Sequence, residues 1–220
     1  SGSVVRFHKN KLLLHRASMK AYQKSLTESG HSVRYIQYEQ SASMKYLFDP
    51  LKASGIKLLH LADPVDSALE KRLDENAKKS GIMLHTDASP CFLTDPAWFR
   101  DFFGKPVHYS MTSFYIAQRK RLGIMLNKGK PEGGKWTFDT QNREPLPESV
   151  SIPELLPSKS DNAYVNEAKE YVRLHFANNP GDTSSFFFPV SHDKAVNWLH
   201  DFLEKRLVYF GKYQDAIHKE

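Results

Sequence analysis

Over residues 10–29 the side chains Leu12, His15, Met19, Tyr22 and Leu26 recur every three or four positions, the period of one face of an α-helix. Gly30 follows, where a left-handed C-terminal cap is expected. The period then changes. Over 31–38, Val33, Tyr35 and Gln37 alternate with Arg34, Ile36 and Tyr38, and β-forming residues dominate, which predicts a strand. A helix over about 42–53, a strand over 57–62, a helix over about 66–79 and a strand over 82–86 continue the alternation. Six elements in the order α-β-α-β-α-β imply parallel strands joined by crossover helices, so the fold class is α/β, a doubly wound, Rossmann-like parallel sheet. The series opens on a helix, although the first strand of such a sheet usually carries a ligand-facing loop. The expectation is that an amino-terminal strand is missing and that the sheet has an open edge able to recruit another chain or a second copy.

Further along, 96–103 reads as a short aromatic helix and 111–126 as a longer one. In the longer helix Phe114, Ile116, Leu122 and Met125 meet a core, and Arg119-Lys120-Arg121 occupies the polar side. From 127 to 160 the composition shifts to glycine, proline and charge, and Pro131, Pro145, Pro147, Pro153 and Pro157 break regular structure over most of the stretch. Helices are expected over 162–176 and 192–206, behind the caps Asp161 and Ser191, with another beginning near Phe210. The organisation is therefore an α/β body over 4–126, an interdomain loop over 127–160 and helices over 161–220.

The 220 residues contain one cysteine, Cys91, so neither an internal disulfide nor a cysteine-ligated zinc or iron–sulfur centre can be assembled from this chain alone. No apolar run reaches the roughly 18 residues of a membrane span, and a reducing, cytoplasmic location fits. The net charge of +6 is not evenly spread: between Arg119 and Arg143 there are seven basic and two acidic residues.

That basic stretch contains Gly129-Lys-Pro-Glu-Gly-Gly-Lys135, which has the spacing of a phosphate-binding loop. Trp136 stands where Ser or Thr must hold Mg²⁺, and Pro131 removes an N–H from the phosphate nest, so the motif is coincidental. The segment from Gly133 to Arg143 supports two other readings. Its cations, Trp136 and Phe138 can contact phosphates and bases, or the aromatics can pin a linker while the charges stay solvated. The ten histidines have no H-x-H or H-E-x-x-H spacing, so no metal site is expected. His8, just before the first helix, and Asp63-Pro64, at a strand end, lie where an α/β sheet presents its ligand crevice. Hydrolase signatures such as G-x-S-x-G do not occur.

The run Pro131-Glu-Gly-Gly-Lys-Trp-Thr-Phe-Asp-Thr-Gln-Asn-Arg-Glu-Pro145 closely resembles the signature of the deoxyribodipyrimidine photolyase-related proteins, the prokaryotic (6-4) photolyase and iron–sulfur cryptochrome group. Further blocks resemble the same family in the same order: His8 to Leu12 with Ser18-Met19-Lys20, Met111 to Tyr115, Arg119 to Leu126, and Phe210 to Ala216.

The resemblance implies the antenna and linker part of a light-dependent DNA-repair protein, inactive alone, or else a cryptochrome-like light sensor or nucleic-acid-binding module without repair. It further implies an FAD domain and a four-iron cluster beyond Ile217, with the family's first strand before Val4 and no cofactor of that kind in this chain. Damaged DNA is the implied partner, with Arg119, Lys120, Lys128, Lys130 and Lys135 tracking phosphates and Arg143 near the lesion. A ribityllumazine antenna would be bound by Phe7, His8, Leu12 and Asp63. After the proline matching Pro64 the family often has an acid and an aromatic; Val65-Asp66-Ser67-Ala68 keeps the acid and lacks the aromatic.

Overall fold

The computed structural model describes residues 6–37, 43–104, 109–138, 144–154 and 163–216. By its internal contacts the chain divides into two compact units, Ser1–Tyr35 with Phe138–Glu220, and Ile36–Thr137. The sequence division grouped the first helix with the α/β body. The structure groups it with the carboxy-terminal helices instead.

In the first unit, helix α1 (Lys9–Glu28) packs on α6 (Ala163–His175). The buried residues of α1 are Leu13 and Ala17, and they meet Val165, Ala168 and Val172 of α6 together with Phe186 and Val190. The expected face was different: His15, Met19 and Tyr22 are exposed, and Leu12 is only partly buried against this core. Two alanines, Ala17 and Ala168, let the helices approach closely, so small residues carry a contact that a search for large apolar side chains passes over. Above the core, Arg16 ion-pairs with Glu167 and lies 3.6 Å from the Tyr171 ring centroid. Helices α7 (His192–Lys205) and α8 (Leu207–Tyr213) complete this unit, and α8 begins three residues before the expected start at Phe210.

The second unit opens with α2 (Lys45–Ala53) and then forms β1 (Leu58–Ala62), α3 (Ser67–Ser80) and β2 (Met83–Asp87). The strands are parallel, with Leu59 opposite Leu84 and His60 opposite His85. Helix α3 supplies the crossover. Asp66 caps its start by accepting from the Leu69 N–H at 2.7 Å, and Gly81 ends it at φ 68°, a left-handed conformation that glycine adopts without a Cβ penalty. Phe48, Leu73, Ala77 and Ile82 form the core, and Leu59, Leu61 and Leu84 pack against it from one face of the sheet. This is an α/β arrangement with a small parallel sheet.

The strand expected over 31–38 does not form: residues 31–37 are outside helix and strand, and Tyr38 lies outside the described residues. β-propensity is realised only beside a hydrogen-bonding neighbour. Here Tyr35 lies instead under the Lys20 ammonium of α1, 3.7 Å from ring centroid to Nζ, and the boundary between the units falls directly after it.

Helix α4 (Pro96–Phe103) follows with Asp95 as its cap, and then α5 (Met111–Leu122). The expected continuation of α5 to residue 126 fails at Gly123, which takes φ 67° and donates its N–H to the Arg119 carbonyl. The chain then makes a hairpin of β3 (Leu126–Asn127) and β4 (Lys130–Pro131), so part of the expected loop is regular. Lys128 and Gly129 at its tip both have positive φ, 48° and 76°, the signature of a tight two-residue hairpin turn. Among the described residues no helix is long and apolar enough to cross a membrane.

Candidate functional site

A crevice of about 590 Å³ opens past the carboxyl ends of β1 and β2. Asp63 and Val65 line it from the loop after β1, Ala88 and Ser89 from the loop after β2, and Phe92, Phe99 and Phe114 supply aromatic walls. This is where an open parallel sheet offers a ligand two loop ends and the ends of its strand backbones. Asp63 is half-buried, and its Oδ1 accepts from the Val65 N–H at 2.8 Å. The tight turn drives Val65 to φ 54°, a left-handed conformation that a β-branched side chain resists, so backbone strain is stored at the crevice rim.

Polar side chains of α5 hold the far wall. Arg121 donates to the Leu93 carbonyl at 2.8 Å and to Gln118 Oε1, while Gln118 donates to Thr94 Oγ1 at 2.5 Å. The Arg121 guanidinium also lies 4.9 Å from the Trp98 ring centroid. At the start of α4 the Trp98 N–H donates to Asp95 at 2.8 Å and holds that carboxyl below the usual aspartate range, with the Arg121 charge acting in the same direction. Phe114 touches Trp98, Phe99, Phe102 and Phe103 at centroid separations of 5.4–5.8 Å, which fixes α4 on α5 behind the crevice.

The same helix controls the basic hairpin. Arg119 is 6% exposed, and its guanidinium donates to the carbonyls of Ile124, Met125 and Trp136. These bonds tie both ends of the hairpin to α5. Trp136 is half-buried, 5.3 Å from the Arg119 guanidinium and 5.2 Å from Lys120 Nζ. Lys120, Lys128, Lys130 and Lys135 are exposed around this anchored loop. Arg143 lies outside the described residues.

The four residues considered for an antenna are divided between the units. Asp63 lines the crevice of the second unit, whereas Phe7, His8 and Leu12 belong to the first. His8 is the N-cap of α1: its Nδ1 accepts from the Asn10 N–H at 3.1 Å. The Phe7 carbonyl accepts from Asn179 Nδ2, and Leu12 packs on the α1–α6 core.

Sequence reasoning missed Val65, Phe92, Phe99 and Phe114 as crevice residues. The available signal was the clustering of aromatics shortly after the last strand. It also placed Arg119 on a polar helix face, where the structure buries it. Charge alone does not distinguish an arginine facing water from one serving three backbone carbonyls.

The protein thus has a parallel α/β unit with a crevice at its strand ends and an arginine-anchored basic hairpin. The family profile of the deoxyribodipyrimidine photo-lyase-related proteins matches residues 2–188, and the chain belongs to that family. It is 27% identical over 222 aligned residues to the "(6-4) photolyase" of Agrobacterium fabrum (strain C58 / ATCC 33970), an alignment covering 98% of this chain and 43% of that protein. The chain therefore spans less than half the length of this relative. It is also 30% identical over 152 residues to the "Uncharacterized protein R852" of Acanthamoeba polyphaga mimivirus, covering 67% of this chain and 77% of that protein.

Proposed function

We propose that this chain is the antenna and linker portion of a light-dependent DNA-repair protein and that its basic hairpin binds the DNA backbone. The observation that carries the reading is the division of labour on α5: Arg119 is committed to holding the loop, which leaves Lys120, Lys128, Lys130 and Lys135 solvent-facing around a fixed backbone. A cation on an anchored loop loses less conformational freedom on meeting a phosphate than one on a free chain. Arg143 is assigned to the neighbourhood of the lesion, because a planar guanidinium pairs with phosphate and stacks on an unpaired base. Damaged pyrimidine pairs are the proposed substrate, in keeping with the description of the deoxyribodipyrimidine photo-lyase-related family.

The β1–α3–β2 unit is read as part of a Rossmann-like sheet whose crevice takes the antenna chromophore. The crevice fits a planar heteroaromatic ring such as that of a ribityllumazine: Phe92, Phe99 and Phe114 offer stacking faces, and Asp63, Ser89 and Thr94 offer polar contacts to a ribityl chain. The residues do not fit a four-iron cluster, since Cys91 is one thiolate where four are needed. FAD and that cluster are assigned to the carboxy-terminal domain of a longer protein. Each sheet strand has one strand neighbour among the described residues, which supports pairing with another chain or a second copy.

The test is binding to a lesion-bearing duplex over a range of salt concentrations. Removing one cation that touches a phosphate lowers the slope of log K against log salt by about one, so Lys135→Ala lowers it by that amount and leaves lesion preference unchanged. In the longer protein, Arg143→Ala loses discrimination between damaged and intact DNA. Unchanged slope and affinity in both variants would leave the hairpin without a role in DNA binding.

A further inference from the structure

The face of the β1–β2 sheet turned away from the Leu59, Leu61 and Leu84 core bears His60, His85 and Asp87, all exposed. Parallel register sets His60 directly opposite His85. The two-residue period of β2 brings Asp87 to the same face one step further, opposite the small side chain of Ala62. His60 Nδ1 lies 3.5 Å from Asp87 Oδ2, and His85 Nε2 lies 3.3 Å from Asp87 Oδ1. One ligand atom from each residue falls within 4.8 Å of the others.

We infer that His60, His85 and Asp87 form a site for a divalent transition cation of the zinc class, with water completing the coordination. Both nitrogen–oxygen separations exceed the roughly 2.7–3.2 Å of an N–H···O hydrogen bond. The 3.3 Å between His85 Nε2 and Asp87 Oδ1 matches the edge of a tetrahedron with metal–ligand bonds of about 2.0–2.1 Å, which is about 3.3–3.4 Å, and His60 Nδ1 stands beside the other oxygen of the same carboxylate. Two imidazole nitrogens and one carboxylate oxygen are the donors that borderline cations prefer, whereas Ca²⁺ and Mg²⁺ favour oxygen throughout. The imidazoles are already side by side, with ring centroids 4.7 Å apart. Their backbone positions are fixed by hydrogen bonds flanking the ladder, Met83 N–H to the Lys57 carbonyl and Asp63 N–H to the Asp87 carbonyl, each 2.8 Å. Three protein donors leave a coordination position open, so the site is suited to an exchangeable ligand. The histidine spacing in sequence gave no hint of this, because the pair is created by strand register across 25 residues.

Zn²⁺ is titrated into the 220-residue chain at neutral pH against a chromogenic chelator, and Co²⁺ binding is followed by its visible absorption. One ion per chain is expected. Affinity should fall at least about tenfold in His60→Ala and in His85→Ala and measurably in Asp87→Asn, with helical circular dichroism unchanged because all three side chains are exposed. His175→Ala, an exposed histidine on α6, should bind as the parent does. In the unaltered protein, paramagnetic Co²⁺ should shift the His60 and His85 ring resonances before those of other histidines, a readout that does not depend on any variant folding. Absence of stoichiometric binding, undiminished binding in the His60→Ala/His85→Ala double variant, or first perturbation of other histidines would each overturn the site.

Discussion

The imidazole of His8 occupies the space that a Cβ on Gly181 would fill. Besides this contact, the Lys9 N–H donates to the Pro180 carbonyl at 2.9 Å and Arg6 donates to the Asn178 carbonyl at 3.1 Å. The cap of α1 is therefore built jointly with a turn more than 170 residues later in the chain. Gly181 also has φ 79°, so absence of a side chain is needed there for conformation and for space alike.

Gly181→Ala is expected to destabilise the protein by about 2 kcal/mol or more, from the left-handed backbone and the overlap with His8 together. His8→Ala alone removes a cap, at about 0.5–2 kcal/mol. The double variant should be more stable than the sum of the two predicts, since the overlap disappears with the ring. Urea denaturation of the four proteins of the cycle measures this, and strict additivity would disprove the contact.

Arg119→Ala should cost about 2–4 kcal/mol, because it leaves three carbonyls near the hairpin without their donor. Arg119→Lys should recover little of it, as an ammonium lacks the planar fork that reaches all three. Lys120→Ala should fall within about 0.5 kcal/mol of the parent. Hydrogen exchange at the Glu132 amide, which is bonded to the Met125 carbonyl at 2.9 Å, reports the hairpin directly and should accelerate in the Arg119 variants only.

Ala17→Leu should destabilise the α1–α6 pair by about 1–3 kcal/mol, since Ala17 is fully buried against a helix that approaches through its own Ala168. Met19→Ala, on the exposed side, should change stability by less than about 0.5 kcal/mol. Thermal unfolding of both variants distinguishes the observed face from the one that periodicity suggests.

Hydrogen bonding to Arg16, then its charge and that of Lys20, hold the Glu167 carboxyl below the usual glutamate range. A carboxyl with a depressed folded pKa contributes stability that is fully present above its unfolded pKa and is lost as pH falls through the folded value. Glu167→Gln should therefore lower stability at neutral pH and flatten its loss on the acid side of the usual glutamate range. Glu167 is 45% exposed, so solvent screening keeps the contribution to about 1 kcal/mol or less. Stability curves at neutral and acid pH would refute the assignment if parent and variant ran parallel.

Asp63→Ala and Phe99→Ala should each weaken binding of a ribityllumazine to the isolated chain, read as loss of chromophore fluorescence quenching. Phe99→Ala should have the larger effect if ring stacking dominates. Equal binding in parent and both variants would remove the crevice as the antenna site.

Much of the architecture was readable from residue order. The helix–strand alternation through β1, α3 and β2, the short aromatic helix over 96–103, and the family signature around Trp136 are all local patterns, and local patterns survive into the structure because backbone geometry acts within a few residues. Three features were decided elsewhere. The strand expected over 31–38 did not form because strand propensity needs a hydrogen-bonded neighbour, and Tyr35 lies against α1 instead. The buried face of α1 follows Leu13 and Ala17 because α6, more than 140 residues away, selects the side on which two alanines allow close approach. Arg119 is an internal clamp and His60 faces His85 because a turn after α5 brings three carbonyls to one guanidinium and a parallel register aligns two strands. Sequence determines which groups are available within a turn or a strand; chain return over long separations decides which of them meet, and only the folded backbone specifies that return.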